Sequence, residues 1–325
     1  MIYGTLKILL KISLRIFFKE VSINRPYELP KEGPLMVVGN HPNTFMDPLI
    51  IATLFRQRMG FLGNASIFVH ATVNAIFRFF QVIPVYREKD VSPGAKIDNA
   101  HTFRECYKFL EGRNSLMLFP EGSSYHELKL RKIKTGGARI ALGVEHKNDF
   151  ELGLKVIPIG LYYSNPSKFR SKIYVNVGAP ISVKDFQKTY QTNEVEGVQS
   201  LTRRIKQSLE GLTITTSDQE QEELFFKIKR IYKNHLVETF SSTGDKHEEF
   251  RLTQEIANAI QYFKLNASHT FEILLVKIDR CIVLLDEFKT SSQKVTPLQN
   301  RWQKSLLSVG GGLYIIAGFP IFFLG

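Results

Sequence analysis

Residues 35–48 read L-M-V-V-G-N-H-P-N-T-F-M-D-P, and this stretch gives the first indication of the fold. The apolar run at 35–39 is typical of a buried strand, and the apolar stretch at 48–58 is predicted to be a helix. His41 and Asp47 lie in the polar turn between them. Because open parallel sheets bind ligands where strands end, this turn is a candidate site.

The same alternation of strands and helices continues to about residue 183. Further strands are predicted near 61 and at 82–86, 115–119, 155–161 and 172–178, with helices near 94–112 and 135–146. This pattern predicts an α/β domain, assigned to residues 26–185, with a mostly parallel central sheet flanked by helices. Residues 186–303 are rich in Glu, Lys and Gln and are predicted to be a helical accessory region, with helices at 218–240, 247–263 and 268–289.

Both ends of the chain are predicted to contact a membrane. Residues 2–18 are apolar, but cations recur every four residues at Lys7, Lys11, Arg15 and Lys19. This spacing predicts an amphipathic helix on a membrane surface, assigned to residues 1–25, and a helix packed on the domain is the alternative. Residues 305–325 carry no charge and at about 1.5 Å per residue would cover roughly 30 Å, so 304–325 are predicted to be a transmembrane or re-entrant segment.

The composition restricts the partners and the chemistry. The chain has 325 residues, with 43 Lys and Arg against 31 Asp and Glu, and the net charge of +12 favours anionic partners. Two cysteines cannot build a disulfide framework or a cysteine-based zinc site, and they favour a cytosol-facing location. Because the sequence has no H-E-x-x-H motif, P-loop or G-x-G-x-x-G motif, we expect no metal site and no cofactor.

His41 and Asp47 are six positions apart, which would place them on different faces of a regular helix. Contact between them therefore requires an irregular turn. If they touch, the carboxylate fixes the imidazole tautomer, and His41 becomes a general base near neutral pH. The alternative is that Asp47 caps a helix that starts at Pro48 and that His41 is only a turn residue.

A second candidate site follows the strand predicted at 115–119. Pro120 and Gly122 are expected to form a turn that exposes Glu121 and backbone N–H groups beside the hydroxyls of Ser123 and Ser124, which suits a polyol phosphate. A plain junction between strand and loop is the alternative. Cations that could bind phosphate, or that could simply be solvated, are Arg87, Lys129, Arg131, Lys132 and Lys134.

Five stretches in order resemble the sequential motifs of the glycerolipid acyltransferase superfamily, which includes glycerol-3-phosphate and 1-acylglycerol-3-phosphate acyltransferases. They are N-H-P-N-T-F-M-D-P, V-I-P-V-Y-R, F-P-E-G-S-S, K-I-K-T-G-G-A-R-I-A-L and V-I-P-I-G-L, and the resemblance covers roughly residues 30–185. It implies a catalytic pair at His41 and Asp47, phosphate recognition by Arg87 and the Glu121–Gly122 loop, and an acyl-chain wall near Pro158. The first motif usually has four residues between His and Asp, whereas this chain has five, as in the fungal-type glycerol-3-phosphate enzymes.

The expected reaction is transfer of an acyl group from acyl-CoA or acyl carrier protein to glycerol 3-phosphate. His41 would take the hydroxyl proton, Arg87 and Lys134 would hold the phosphate, and N–H groups near Gly122 would stabilise the oxyanion. Neither cysteine lies near a motif, so an acyl-enzyme is not expected. The protein is expected at a membrane containing anionic lipids, with its site facing the cytosol.

Two other functions remain open from the sequence. The acceptor could be 1-acylglycerol 3-phosphate. The chain could instead be a non-catalytic module that binds anionic lipids. Nucleic acid is not an expected partner, because only the charge favours it and no recognition motif is present.

Overall fold

In the computed structural model, which describes residues 2–68, 70–86, 99–243 and 247–292, the strands pair into one mixed sheet. The predicted strands are present, and two further strands, at residues 20–24 and 181–182, join the sheet. The strands are β1 Glu20–Asn24, β2 Leu35–Gly39, β3 Met59–Asn64, β4 Val82–Val85, β5 Ser115–Leu118, β6 Lys155–Tyr163, β7 Lys172–Val177 and β8 Ile181–Ser182. Their order is β1-β7-β6-β2-β5-β3-β4, and β8 pairs with β6.

Ten α-helices are described in these ranges: seven lie close to predicted helices, two lie in the region after 186 that was predicted to be helical, and the helix at 71–79 was not predicted. They are α1 Ile2–Phe17, α2 Met46–Leu54, α3 Ala71–Phe79, α4 Ala100–Glu111, α5 Gly136–Lys147, α6 Gln187–Thr192, α7 Glu194–Leu212, α8 Gln219–Thr243, α9 Glu248–Asn266 and α10 Ser268–Ser292. The prediction of a mostly parallel sheet flanked by helices is confirmed, and only β7 and β8 pair antiparallel, both with β6.

The centre of the sheet positions the candidate site. Strand β2 pairs in parallel with β5 on one side and with β6 on the other, and all of its residues are buried. Val38 lies beside Leu118 of β5 and Pro158 of β6. Because parallel strands end at the same edge of the sheet, the residues that follow β2 and β5 and the last residues of β6 lie close together at that edge.

Helices cover the two faces of this sheet with separate apolar cores. On one face α1 and α2 bury Leu14, Phe18, Ile50 and Ile51 against β2, β6 and β7. On the other face α4, α5 and α7 form the larger core, with Leu110, Ile140 and Leu201 fully or almost fully buried. Burial on both faces explains why the central strands are continuous apolar runs rather than alternating ones.

The C-terminal helices pack on the sheet through a third apolar cluster. Phe225 of α8, Phe250 of α9 and Phe271 of α10 cluster around Tyr162 of β6 and Tyr174 of β7. Helices α8, α9 and α10 lie near the predicted 218–240, 247–263 and 268–289. The boundaries assigned to the accessory region, 186–303, remain a prediction.

The N-terminal prediction needs a correction. The helix ends at Phe17, and residues 20–24 form the edge strand β1, which pairs with β7, so the helical segment assigned to 1–25 is too long. Lys7 does not lie on a free cationic stripe. Its ammonium group donates to the carbonyl of Phe55, and burial lowers the pKa of Lys7. This side of α1 therefore packs on the domain.

The predicted terminal segment 304–325 lies outside the described residues, as does Arg87. Within the described ranges, none of the helices combines the length and the apolar character that crossing a bilayer requires.

Candidate active site

The turn after β2 brings His41 and Asp47 together. Nδ1 of His41 lies 2.9 Å from Oδ2 of Asp47, although the two residues are six positions apart. The His41 side chain is 13% exposed and the Asp47 side chain is fully buried. The irregular turn that contact between them requires is therefore present.

Asn43 shapes this turn and explains how five intervening residues fit. Its side-chain oxygen accepts from the N–H groups of Phe45 and Met46, at 3.3 and 3.2 Å, and so begins α2. Its backbone N–H donates to Oδ2 of Asp47 at 2.7 Å. Asp47 lies inside the first turn of α2 and does not cap it, so the alternative that Asp47 is only a helix cap is wrong.

The backbone of His41 is fixed by the segment that follows β5. Its N–H donates to Oε1 of Glu121 at 3.0 Å, and its carbonyl accepts from the N–H of Tyr125 at 3.0 Å. The imidazole stacks on the ring of Phe119, with centroids 3.9 Å apart and planes 8° apart. These contacts hold both the backbone and the ring plane of His41, so that Nδ1 points at Asp47.

Glu121 is not exposed, and that part of the prediction is wrong. The residue is 8% exposed, and its second oxygen accepts from the N–H of Arg131 at 2.9 Å. Burial raises the pKa of Glu121, while the hydrogen bonds from Arg131 and His41 oppose the rise. The carboxyl group joins the turn after β2 to the segment before α5.

The predicted turn at Pro120 is present, but the backbone N–H of Gly122, which was expected to stabilise an oxyanion, is bonded within the turn. The N–H of Gly122 donates to the carbonyl of Phe119 at 3.0 Å, so it is not a free oxyanion donor. Gly122 has φ +75°, which favours glycine, and the Lys134 side chain lies against it. The hydroxyl of Ser123 donates to the Gly122 carbonyl at 2.8 Å.

His41 lines a cleft of about 150 Å³ at this edge of the sheet. The residues after β5, including Tyr125, His126 and Lys129, form one side, and the end of β6 forms another. The α7–α8 connection and α8 complete it with residues 213–215, Glu222 and Phe226. The helical accessory region therefore contributes a wall to the same cleft as His41.

The predicted phosphate-binding cations lie at different distances from the cleft. Lys129 lines the cleft, whereas Lys134 is exposed beside Gly122 and is not part of the lining. Arg131 pairs with Glu127 and stacks over the ring of Tyr125, 4.5 Å from its centroid. Pro158 is buried within β6 and does not line the cleft, so the acyl-chain wall predicted near it stays a prediction.

Sequence reasoning missed two residues that hold the pair in place. Asn40 uses both side-chain atoms on the backbone of Leu161, accepting at 2.7 Å and donating at 2.9 Å, and so ties the turn to β6. The hydroxyl of Tyr163 donates to Oδ1 of Asp47 at 2.5 Å. Asn40 precedes His41 in the quoted motif, but Tyr163 is 116 positions from Asp47 and carries no local signal.

The arrangement can perform general base chemistry. Burial raises the pKa of Asp47, and hydrogen bonds from His41, Tyr163 and Asn43 favour its charged form and oppose that rise. An imidazole that donates from Nδ1 to a carboxylate has its lone pair on Nε2. Among the described residues, no group of His, Cys, Asp and Glu side chains is arranged to hold a metal ion.

Comparison with known proteins identifies the family that this part of the chain matches. The family model described as Acyltransferase matches residues 20–162. These residues form an acyltransferase domain. The resemblance to glycerolipid acyltransferases predicted from the ordered motifs is confirmed.

Relatives of the acyltransferase domain differ in the acceptor that they are named for. Glycerol-3-phosphate O-acyltransferases 1 and 2 of Saccharomyces cerevisiae are 24% and 32% identical, over 66% and 42% of this chain and 40% and 19% of their own lengths. A 1-acyl-sn-glycerol-3-phosphate acyltransferase of Borreliella burgdorferi is 26% identical, over 54% of this chain and 63% of its own length. The chain spans less than half the length of these yeast relatives.

Replacement of Glu121 in the acyltransferase domain tests its bridging role. In Glu121→Gln, the NH₂ group of the new amide would face one of the two backbone N–H donors and could not accept from it. We therefore expect the free energy of unfolding to fall by about 1–3 kcal/mol. The raised pKa of Glu121 means that its contribution to stability is present at low pH and is lost as pH rises through that pKa. The difference in the free energy of unfolding between wild type and variant, measured by urea denaturation, should therefore become smaller as the pH rises from about 4 to neutrality.

The matched control is Glu255→Gln, which removes the same charge from an exposed position on α9. It should change stability by less than about 0.5 kcal/mol. Equal effects of the two substitutions, or a gap that widens with pH, would contradict a buried bridge at Glu121.

Proposed function

We propose that this protein is a glycerol-3-phosphate O-acyltransferase of phospholipid biosynthesis. It transfers a fatty acyl group from acyl-CoA or acyl carrier protein to a hydroxyl of glycerol 3-phosphate. The observation that carries the proposal is the His41–Asp47 pair, which lies at a small cleft inside an acyltransferase domain.

The proposed mechanism needs a single base. Nε2 of His41 removes the acceptor hydroxyl proton as the oxygen attacks the thioester carbonyl carbon. The tetrahedral intermediate collapses when the C–S bond breaks, and protonated His41 returns the proton to the departing sulfur. Asp47 holds the tautomer and stabilises the imidazolium that forms between the two steps.

Direct transfer is favoured over an acyl-enzyme by the state of the two cysteines. Cys106 is buried in α4, and burial raises the pKa of its thiol to about 12. A thiol with so high a pKa is a poor nucleophile at neutral pH. Cys281 is exposed on α10 and does not line the cleft.

We propose glycerol 3-phosphate as the acceptor, and the cleft of about 150 Å³ beside His41 has room for a small phosphorylated polyol. The yeast relatives named for glycerol 3-phosphate support the same choice.

Three cations are proposed to bind the phosphate of the acceptor. Lys129 lines the cleft with His41 and supplies a point charge. Arg87, which follows β4, is proposed as a second phosphate ligand, with Lys134 beside the Gly122 turn. Glu121 and Gly122 contribute by holding the turn, and Ser123 contributes a hydroxyl at its edge.

We assign membrane contact to the outward side of α1. Opposite the packed residues, Ile8, Leu9 and Ile12 are 61%, 55% and 50% exposed, flanked by the exposed cations Lys11 and Arg15. Exposed apolar side chains beside cations suit the interface of an anionic membrane. We therefore propose that α1 holds the protein on a membrane, with the site facing the cytosol as the sequence predicts.

His41→Ala should lower turnover of labelled glycerol 3-phosphate with a long-chain acyl-CoA by about 10²–10⁴-fold, because the base is lost. Asp47→Asn should lower turnover by a smaller factor, because shape is kept while tautomer control is lost. The same assay with the monoacyl acceptor distinguishes the alternative acceptor.

His101→Ala, an exposed histidine on α4, is the control and should retain full activity. Near-normal turnover by His41→Ala would exclude the mechanism. Absence of turnover by the wild type with either acceptor and either thioester donor would favour a non-catalytic lipid-binding module.

Lys129→Ala and Arg87→Ala should each raise the KM for glycerol 3-phosphate at least severalfold and leave the KM for the thioester nearly unchanged, because a phosphate contact acts on one substrate. Arg87→Lys should restore only part of the affinity, because a point charge replaces a bidentate donor. Initial-rate kinetics with each substrate varied in turn measure both constants.

Lys132→Ala is the matched control, since Lys132 is exposed and does not line the cleft. If Lys129→Ala and Lys132→Ala raise the acceptor KM equally, Lys129 acts only through overall charge. If both KM values rise together in Arg87→Ala, Arg87 supports the fold or the donor site.

Paired replacement of Lys11 and Arg15 by Gln should weaken binding to anionic vesicles but not to neutral ones. Each cation is expected to contribute about 1 kcal/mol at an acidic surface, and salt should abolish the difference. Vesicle sedimentation of the full chain at low and high salt measures this preference.

Paired replacement of Arg204 and Lys206 by Gln removes the same charge from α7, which covers the opposite face of the sheet. This control should bind as the wild type does. Equal loss of anionic preference in both double variants would mean that net charge alone, and not α1, attracts the membrane.

A further inference from the structure

Tyr163 is the last residue of β6, and its hydroxyl reaches the buried carboxylate of the candidate pair. The residue is 5% exposed, and its ring packs against Phe18, with centroids 5.8 Å apart. Burial and the nearby charge of Asp47 hold the pKa of Tyr163 well above its ordinary range. The hydroxyl therefore keeps its proton and donates it to Oδ1 of Asp47 at 2.5 Å.

The two carboxylate oxygens of Asp47 have different partners. Oδ2 accepts from Nδ1 of His41 at 2.9 Å and from the N–H of Asn43 at 2.7 Å. Oδ1 accepts from Tyr163, which comes from a different strand. A carboxylate bound on one side only could rotate about its χ2 angle, whereas donors on both oxygens fix its plane.

The position of Tyr163 is itself fixed by the sheet. Strand β6 pairs in parallel with β2, and Asn40 extends this pairing to Leu161. The hydroxyl thus arrives from a rigid element, whereas His41 and Asn43 lie in the turn. A hydroxyl that comes from a rigid strand and bonds to the buried carboxylate is the arrangement expected of a residue that positions a catalytic group.

We propose that Tyr163 is a positioning residue of the acyl-transfer reaction, which orients Asp47 towards His41 and keeps its carboxylate charged. This inference rests on the proposed function. Tyr163 acts only through Asp47, so its removal should lower turnover without weakening the binding of either substrate.

Tyr163→Phe tests the inference while it keeps the packed ring. We expect kcat to fall by about tenfold with both KM values within about twofold of wild type, since a single hydrogen bond to a charged group is lost. Loss of this donor also raises the pKa of Asp47 further. The pH below which activity is lost should therefore move upward, measured as kcat/KM between pH 5 and 9.

A second measurement does not depend on turnover. The proton shared between His41 and Asp47 should give a downfield resonance in the proton NMR spectrum of the full chain, identified by its loss in His41→Ala. In Tyr163→Phe this resonance should shift or broaden, because the acceptor carboxylate is less well fixed.

Tyr174→Phe is the matched control. Tyr174 is a buried tyrosine on the adjacent strand β7, and its hydroxyl hydrogen-bonds with Glu249, not with the site. It should lower stability without moving the pH profile or the NMR resonance. Thermal denaturation confirms that both variants are folded.

The inference would be overturned if Tyr163→Phe kept the kcat, the pH profile and the NMR resonance of the wild type. It would also be overturned if Tyr163→Phe and Tyr174→Phe changed these three measurements equally. The proposed function fails by a different result. If His41→Ala is active, the mechanism is wrong, whereas an inactive His41→Ala beside an unaffected Tyr163→Phe rejects only the role of Tyr163.

Discussion

The fully buried carboxylate of Asp47 constrains the structure around it. A buried charge must be hydrogen-bonded, because leaving it unpaired in a low-dielectric interior costs several kcal/mol. Its donors come from His41, Asn43 and Tyr163, which belong to a turn and to a separate strand. The turn is irregular because a regular helix could not bring His41 and Asn43 to Asp47 together. The hydrogen bond to the carboxylate therefore holds His41 through Nδ1, and Nε2 is the ring nitrogen that can accept a proton.

The sheet makes this local arrangement possible by bringing three distant segments to one edge. Strands β2, β5 and β6 are parallel neighbours, so the turn with His41, the turn with Glu121 and the residue Tyr163 meet at their carboxyl ends. Glu121 and Tyr125 hold the backbone of His41 from one side, and Asn40 ties it to β6 on the other. These bonds satisfy backbone groups that would otherwise be buried without partners. The same contacts that complete the fold thus orient the imidazole.

The sequence predicted those features that depend on local pattern. Apolar runs located the strands, and spacing located the helices, because burial on both faces of a parallel sheet leaves a strong local signal. His41 and Asp47 were found for the same reason, since one motif contains both. Tyr163 and the buried side of Lys7 depend on pairing between distant segments, which no local pattern encodes. Glu121 was expected to be exposed because Pro120 and Gly122 predicted a turn, and its two backbone donors, from His41 and Arg131, are visible only in the folded chain.

The cleft also extends beyond the segment that defines the family. The family match ends at residue 162, yet the α7–α8 connection, Glu222 and Phe226 line the same cleft as His41. Leu128 joins the two parts, because its N–H donates to Glu222 at 3.2 Å and its carbonyl accepts from the N–H of Thr216 at 2.5 Å. Through these bonds, the helical region sets the position of the segment that carries Lys129. The sheet therefore builds the candidate pair of His41 and Asp47, whereas the shape of the space in front of the pair depends on helices that lie outside the family match.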